Sequence, residues 1–390
     1  MTISQIQAYL KNDMIDGWLL YDFRGSNPYF WRIINNQPST TRQCFIFIPQ
    51  SGTAQLIVHR IDKPLFSQFS GIIREFQSSV ELYAILKSSL DNLQTVAMEY
   101  SQNCMIPYVS RVDGGMLEYI QKLGITVISS ADLFQHSFAR WTQKEYHSHI
   151  HAATKISQIK DQAFYLIRDQ IDRKQPISEW DVQQYILDQI RRANMETDNF
   201  PIVAVNEHAG VPHYQPNSEA SAMIHPKDLI LIDLWAKEKG ENTIFADITW
   251  MGYVGKQIPP KYCQIFDIIK SGREHALQVL HQASNRSHTL QGWELDQEVR
   301  DIIARTGYGE YFIHRTGHSL SPGPAVHGMG VNIDNYETHD TRKIVSNLGF
   351  SIEPGIYTTE FGMRTEINVF IEKNGVPTVT TPIQEEIIKL

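Results

Sequence analysis

The sequence predicts an α/β protein of two domains, a small α/β domain over residues 1–140 and a larger one over 141–390 built from two similar halves. Three observations carry this. At 390 residues the chain is long for a single core. Its texture changes near Thr142, from short strand and helix signals to long, charged, amphipathic helices. Beyond that point a block of helices followed by a block of strands occurs twice, over about 150–252 and about 261–372.

Bulk properties exclude several classes. With 42% hydrophobic and 20% charged residues, the chain should fold without a partner. A formal net charge of −8 argues against nucleic-acid binding. No apolar run approaches a membrane span, and Met1 to Met14 lacks the apolar core of a signal peptide. Cys44, Cys104 and Cys263 form neither a disulfide framework nor a metal-ligand spacing, so a reduced, cytoplasmic enzyme is expected.

In the first domain Trp18–Tyr21, Cys44–Ile48 and Gln55–Val58 read as strands, the last two joined through Pro49-Gln50-Ser51-Gly52. Residues 79–90 and 113–123 have helical spacing, and each leads into a short apolar run, 96–98 and 126–128. Asn27-Pro28 with Tyr29, Phe30 and Trp31 reads as an aromatic loop, either packed or reaching a ligand. No catalytic constellation stands here.

The second domain opens with Ile156, Ile159, Ala163, Ile167 and Ile171 at helical spacing, and a further helix starts near Ser178, with Asp181 as a weak capping signal. His147, His149 and His151 do not converge on a helix, so they read as a solvated face or linker.

The chemistry enters with two apolar strands, Leu229–Leu234 and Thr243–Trp250, joined by the polar segment 237–242 as a hairpin. Side chains alternate faces, so Asp233 shares a side with Leu229 and Leu231, and Asp247 with Phe245 and Thr249. Buried carboxylates are costly and repel each other. A salt-bridged or capping aspartate is the ordinary alternative. Two in core strands, with no Lys or Arg alternating beside them, point to bound cations.

The second half adds His314 and His318 in a Gly/Pro-rich segment ending at His327, and Glu353 at the end of the strand Phe350–Ile352. Arg364 and Glu366 share one face of the next strand. Asp233, Asp247, His318, Glu353 and Glu366 are thus five candidate ligands. Four carboxylates and one imidazole would be neutralised by two divalent cations such as Mn²⁺, Co²⁺, Fe²⁺ or Zn²⁺. Such a pair can hold a hydroxide nucleophile and polarise a carbonyl.

With His213, His327, Glu353-Pro-Gly-Ile-Tyr357 and Arg364, these residues resemble the signature of the pita-bread metallopeptidases, closest to the Xaa-Pro aminopeptidases and Xaa-Pro dipeptidases (prolidases). The resemblance in chemistry covers about 150–390, and the layout of 1–140 resembles the N-terminal domain of the creatinase/prolidase branch. It implies a pita-bread fold with pseudo-twofold halves, five dinuclear metal ligands, His213 and His327 around the substrate, and Arg364 beside the ligands or substrate. Two divalent metals per chain are expected, Mn²⁺ foremost, with Glu353 doubling as proton shuttle. The expected substrate is a small peptide cleaved before proline, and the expected assembly is a homodimer. A creatinase-like C–N hydrolase or lyase, or a non-catalytic binding protein, are the alternatives on this fold; the complete ligand set argues against them.

Departures from the family pattern are expected near the substrate pocket. The aspartates lie 14 residues apart, a longer hairpin than usual. Trp235 stands where glycine is common, Trp250 where arginine is common, and Gly328 in place of an acid. The stretch from His318 to His327 is two residues longer than is typical.

Overall fold

A computed structural model describes residues 2–35 and 40–390. The chain divides into two compact units, Met1–Ser137 and Phe138–Leu390.

The first unit is a mixed six-stranded sheet with helices. In chain order it runs α1 (Ile3–Asn12), β1 (Gly17–Phe23), α2 (Pro28–Ile34), β2 (Gln43–Pro49), β3 (Gln55–His59), β4 (Ile72–Phe76), α3 (Ser79–Ser89), β5 (Thr95–Met98), α4 (Gly114–Lys122), β6 (Thr126–Ser129) and α5 (Ala131–Phe138), which ends one residue past the boundary. The sheet order is β4-β3-β2-β1-β5-β6. Sequence reading locates β1, β2, β3, β5, β6, α3 and α4 and misses α1, β4 and α5. The aromatic segment is no loop: Asn27 caps α2 by accepting from the backbone N–H groups of Tyr29 and Phe30, and Tyr29, Phe30 and Trp31 are buried. Pro28 at the first helical position is compatible with this start.

Beneath α2 lies a buried carboxylate. Glu99 accepts hydrogen bonds from Trp18 Nε1 at 2.6 Å, Asn27 Nδ2 at 2.7 Å and Ser130 Oγ at 3.1 Å. Burial outweighs these donors and pushes its carboxyl up to about 7. The folded state therefore holds a proton that the unfolded chain releases. That contribution to stability is complete below the ordinary pKa of 4.5 and is lost as pH rises through about 7. Wild-type protein should lose stability relative to Glu99→Gln by on the order of 3 kcal/mol across this window. Parallel urea-unfolding profiles for the two proteins would show that Glu99 is not the titrating group.

The second unit opens with α6 (Gln143–Asp172) and α7 (Glu179–Arg192). Both begin with reciprocal capping boxes, Thr142 with Glu145 and Ser178 with Asp181, the latter complete rather than weak. Strands β7 (Met195–Glu196), β8 (Ile202–Val205), β9 (Leu229–Glu238) and β10 (Ala246–Tyr253) follow, with β9 between β10 and the shorter β7 and β8. Then come α8 (Pro260–Asn285), α9 (Gly292–Arg305), β11 (Ser319–Leu320), β12 (Gly349–Ile352), β13 (Gly355–Tyr357), β14 (Gly362–Arg364), β15 (Ile367–Ile371), β16 (Pro377–Val379) and β17 (Ile388–Lys389). Strands β11-β12-β15-β16 form the second antiparallel sheet, β13 and β14 pair alone, and β17 lies beside β10. Helix pair, sheet, helix pair, sheet is the repeat expected from the sequence.

The period-two pattern of β9 and β10 splits their side chains between two cores. Ile230, Ile232, Leu234, Ala246 and Ile248 pack with Ile156, Ile159, Ala163 and Ile167 of α6. Leu229, Leu231, Trp235 and Met251 face the other way, into a cluster with Phe350, Ile352 and Ile367 of the second sheet. Full burial of such a side chain contributes about 1.5–3 kcal/mol, so a slip of one residue would forfeit both faces.

Two further expectations are corrected. His149 is fully buried, its ring nitrogens paired with the Phe245 carbonyl at 2.8 Å and Thr380 Oγ1 at 2.7 Å, while His147 and His151 are exposed. A two-residue spacing on a helix places neighbours on different faces, and one of the three meets the core. Trp250 belongs to the helix-facing set, with Lys160 Nζ 3.4 Å from its ring centroid, so it lies away from the carboxylate face.

Candidate active site

Strand pairing builds the first part of the site. Asp233 stands opposite Thr249 and Asp247 opposite Trp235, and cross-strand partners share a face. Asp233, Asp247, Thr249 and Trp235 therefore all point toward the second sheet. Asn368 of β15 joins the sheets there, accepting from the Asp247 backbone N–H at 2.9 Å and donating to the Asp247 carbonyl at 2.8 Å. The Glu366 backbone N–H reaches the Thr249 carbonyl at 3.3 Å. This stitching carries Glu366 into the same pocket, where its Oε2 accepts from Thr249 Oγ1 at 2.8 Å.

The remaining residues arrive through Ser351. Its hydroxyl accepts from the His318 backbone N–H at 2.9 Å and donates to Glu353 Oε1 at 3.0 Å. His318 Nε2 then lies 3.3 Å from Asp247 Oδ2 and 3.6 Å from Glu353 Oε1. Asp247, His318 and Glu366 place ligand atoms within 4.8 Å of one another. Asp233 and Glu353 flank this trio, Asp233 Oδ2 being held by Arg364 Nη2 and Glu353 Oε2 lying 3.8 Å from Arg364 Nε. All five predicted ligands thus share one pocket.

The electrostatics fit divalent cations. Asp233 Oδ1, Asp247 Oδ1 and Glu366 Oε1 are buried and have no hydrogen-bond partner among the described residues. Leaving such atoms unpaired is expensive, and a cation satisfies them without a donor. Burial, reinforced by the other carboxylates, pushes Asp247 and Glu366 well above the usual carboxylate range. Burial likewise raises Asp233, against the pull of Arg364, and takes Glu353 to about 7. Burial, with the charge of Arg315 and the ring of His327 beside it, holds His318 well below the usual histidine range, so its imidazole is neutral and able to ligate.

Arg364 is buried beneath this cluster, its Nε donating to Thr249 Oγ1 at 2.9 Å and Nη1 to the Tyr357 hydroxyl at 2.8 Å. The same hydroxyl meets His314 Nε2 at 2.8 Å. Arg364 thereby touches the acids rather than open solvent. His213 is exposed in the segment after the turn Asn206–Gly210, an electrostatic neighbour of both Asp233 and His327. The His327 ring centroid sits 4.2 Å from that of His318, and His327 is exposed.

Sequence reading missed three supporting residues. Thr249 could have been found, because it is two residues from Asp247 on the same strand face. Ser351 and Glu179 could not, since long-range pairing alone gives them their roles. Buried Glu179 accepts from the backbone N–H groups of Val205 at 2.7 Å and Ala222 at 2.8 Å, and from the Tyr214 hydroxyl at 2.7 Å, with His208 Nδ1 at 2.9 Å. It anchors both ends of the segment that carries His213. The departure at position 328 also has a cause: a Cβ on Gly328 would meet the Ser321 nitrogen at 2.5 Å, so no acid fits this backbone.

The profile of metallopeptidase family M24 matches residues 151–373, more than half of the chain. The chain belongs to metallopeptidase family M24. All five carboxylate and imidazole ligands proposed from the sequence lie inside the M24 match. An Xaa-Pro dipeptidase from Lactobacillus helveticus is 29% identical over 221 residues, 56% of this chain and 53% of the relative. The chain thus spans about half the length of the curated relatives it matches. Among solved structures, dipeptidase PepE from Mycobacterium ulcerans superposes with a TM-score of 0.72 at 18% identity, over 99% of this chain and 96% of that one. An X-prolyl aminopeptidase from Caenorhabditis elegans, described as a cytosolic enzyme with a di-nuclear active site, gives 0.66 at 16% identity over 99% and 62%. These likenesses cover both units, so the fold of the N-terminal α/β unit is shared with these structures, as is the pita-bread fold of the C-terminal unit.

Proposed function

We propose that this M24 protein hydrolyses the peptide bond preceding proline in small peptides, as an Xaa-Pro aminopeptidase or Xaa-Pro dipeptidase. The observation that carries the reading is the convergence of four carboxylates and His318 in one pocket, with three buried carboxylate oxygens unpaired among the described residues. The proline preference rests on relatives named Xaa-Pro dipeptidase and X-prolyl aminopeptidase.

In this reading Asp233, Asp247, His318, Glu353 and Glu366 hold two divalent cations, Mn²⁺ foremost. Bound there, the cations would supply a hydroxide nucleophile at neutral pH and an electrophile for the scissile carbonyl. Glu353 is the most open of the four acids, its side chain 15% exposed, and in this reading it takes a proton from the attacking water and returns it to the leaving nitrogen. His213 and His327, on loops at the rim, donate to the carbonyl oxygen as it gains charge. Arg364 is a positioning residue that orients Asp233, and through Thr249 also Glu366.

The same reading makes the first unit a creatinase/prolidase-like N-terminal domain without ligands of its own, and the enzyme a cytoplasmic homodimer in which that domain helps bound the neighbour's pocket. No helix among the described residues is long and apolar enough to cross a membrane.

Metal-supplemented protein should hydrolyse Xaa-Pro dipeptides or Xaa-Pro-Yaa tripeptides and leave creatine intact. Preference for the dipeptides would make it a dipeptidase, and for the tripeptides an aminopeptidase. Creatine turnover, or indifference to proline, would overturn the proposal.

A further inference from the structure

The loop carrying His327 belongs to the second half of the catalytic unit, yet two of its fixings come from the first. Its own half ties down the loop base: the Gly328 backbone N–H donates to the Ser319 carbonyl at 2.6 Å, and that of Met329 to Ser321 Oγ at 2.9 Å. The other fixings reach across. Buried Lys237, at the end of β9, donates to the Gly323 carbonyl at 2.8 Å. Asp198, on the exposed turn before β8, splits its carboxylate: Oδ1 accepts from the Trp235 indole N–H at 2.6 Å, and Oδ2 from the Val326 backbone N–H at 3.0 Å.

Each end of this bridge is itself fixed. Trp235 is 8% exposed, lies in the core shared by both sheets and stands opposite Asp247 in the strand register. Val326 is buried in the same core, and His327 is the next residue. A planar acceptor that binds a rigid indole on one side and a backbone N–H on the other defines where the following residue begins. The His327 ring then stands 4.2 Å from that of His318.

We propose that Asp198 and Trp235 are positioning residues for His327, forming a clamp that holds its ring over the metal pocket from the opposite half of the fold. The proposal rests on the reading of His327 as a substrate-handling group. It also connects two departures noted in the sequence, the indole at position 235 and the long loop before His327. The indole N–H holds the carboxylate that tethers the lengthened loop.

Asp198 is exposed, so replacing it should leave the fold intact. Asp198→Ala, Asp198→Asn and Trp235→Phe test the clamp. Asn keeps the size but sets an amide N–H₂ against one of the two donors, and Phe keeps the ring but deletes the indole N–H. The Trp235 indole proton signal, assigned by its loss in Trp235→Phe, should move in both Asp198 variants. Turnover by the metal-loaded enzyme should fall about 10- to 100-fold in Asp198→Ala with metal content and KM little changed, the scale expected for a displaced catalytic group. Combined with His327→Ala, the same substitution should cost almost nothing more.

An equal further loss in the His327→Ala background would make Asp198 a general structural residue and overturn the proposal. So would an unmoved indole signal, or full turnover in Asp198→Ala beside a crippled His327→Ala. Unchanged kinetics in His327→Ala alone would overturn the role given to His327, and the clamp with it. That result is told apart because it requires no substitution at Asp198.

Discussion

Asp247→Ala and Glu366→Ala should each abolish hydrolysis in a protein that remains folded, and chelation should do the same to the wild type. Both acids are held well above the normal carboxylate range by burial and by their neighbours, and each leaves one oxygen unpaired among the described residues. They gain little as structural groups, so removing one anion relieves repulsion and the apo protein should melt no earlier than wild type. As ligands they have no spare to replace them. His318 already faces Asp247 at 3.3 Å, and Asp233 is engaged by Arg364. Losing several kcal/mol of electrophilic stabilisation corresponds to a fall of about 10³-fold or more. Elemental analysis should approach two divalent ions per wild-type chain and fewer in either variant. Near-normal turnover in a variant, or wild-type protein that stays metal-free under Mn²⁺, Co²⁺ and Zn²⁺, would sink the dinuclear reading.

His213→Ala and His327→Ala should retain their metal and lose about 10²–10³ in turnover, the usual cost of a missing oxyanion donor. Neither histidine is needed to balance the four carboxylates. Although His327 is exposed at the rim, the protein packed around its ring and the charge of Arg315 draw it below the normal histidine range, which favours the neutral imidazole. His213 is exposed on its own, but its segment is fixed through Tyr214 and buried Glu179. Metal content and kinetics measured side by side decide each case: lost metal, or unchanged turnover, rejects the assignment for that residue.

Much of this was legible because it is local. The alternation in Leu229–Leu234 and Thr243–Trp250 places both aspartates on one face, and β9 and β10 pair as read. What eluded the sequence depends on distant partners. Glu179 stands in the first turn of a helix, where a solvated acid is ordinary, and only the fold brings four donors to it. His149 was read with its neighbours as solvated, whereas α6 turns it alone toward Phe245 and Thr380. Trp250 was expected near the substrate, but its even-numbered place in β10 directs it to α6. The Asp198 bridge joins residues 128 positions apart and leaves no periodic trace.

The stitching of Asn368 to Asp247 also fixes when the pocket can form. Asp247 lies in the first sheet, and Asn368 and Glu366 meet it only after more than 110 intervening residues have folded into α8, α9 and the second sheet. Closing so long a loop costs chain entropy before any contact repays it. The core between α6 and the helix-facing side of β9 and β10 can gather earlier, but the shared core and the four acids require both halves. Cations added during refolding should therefore leave the early phases unchanged and act on the last one, making metal uptake a clock for the completed enzyme.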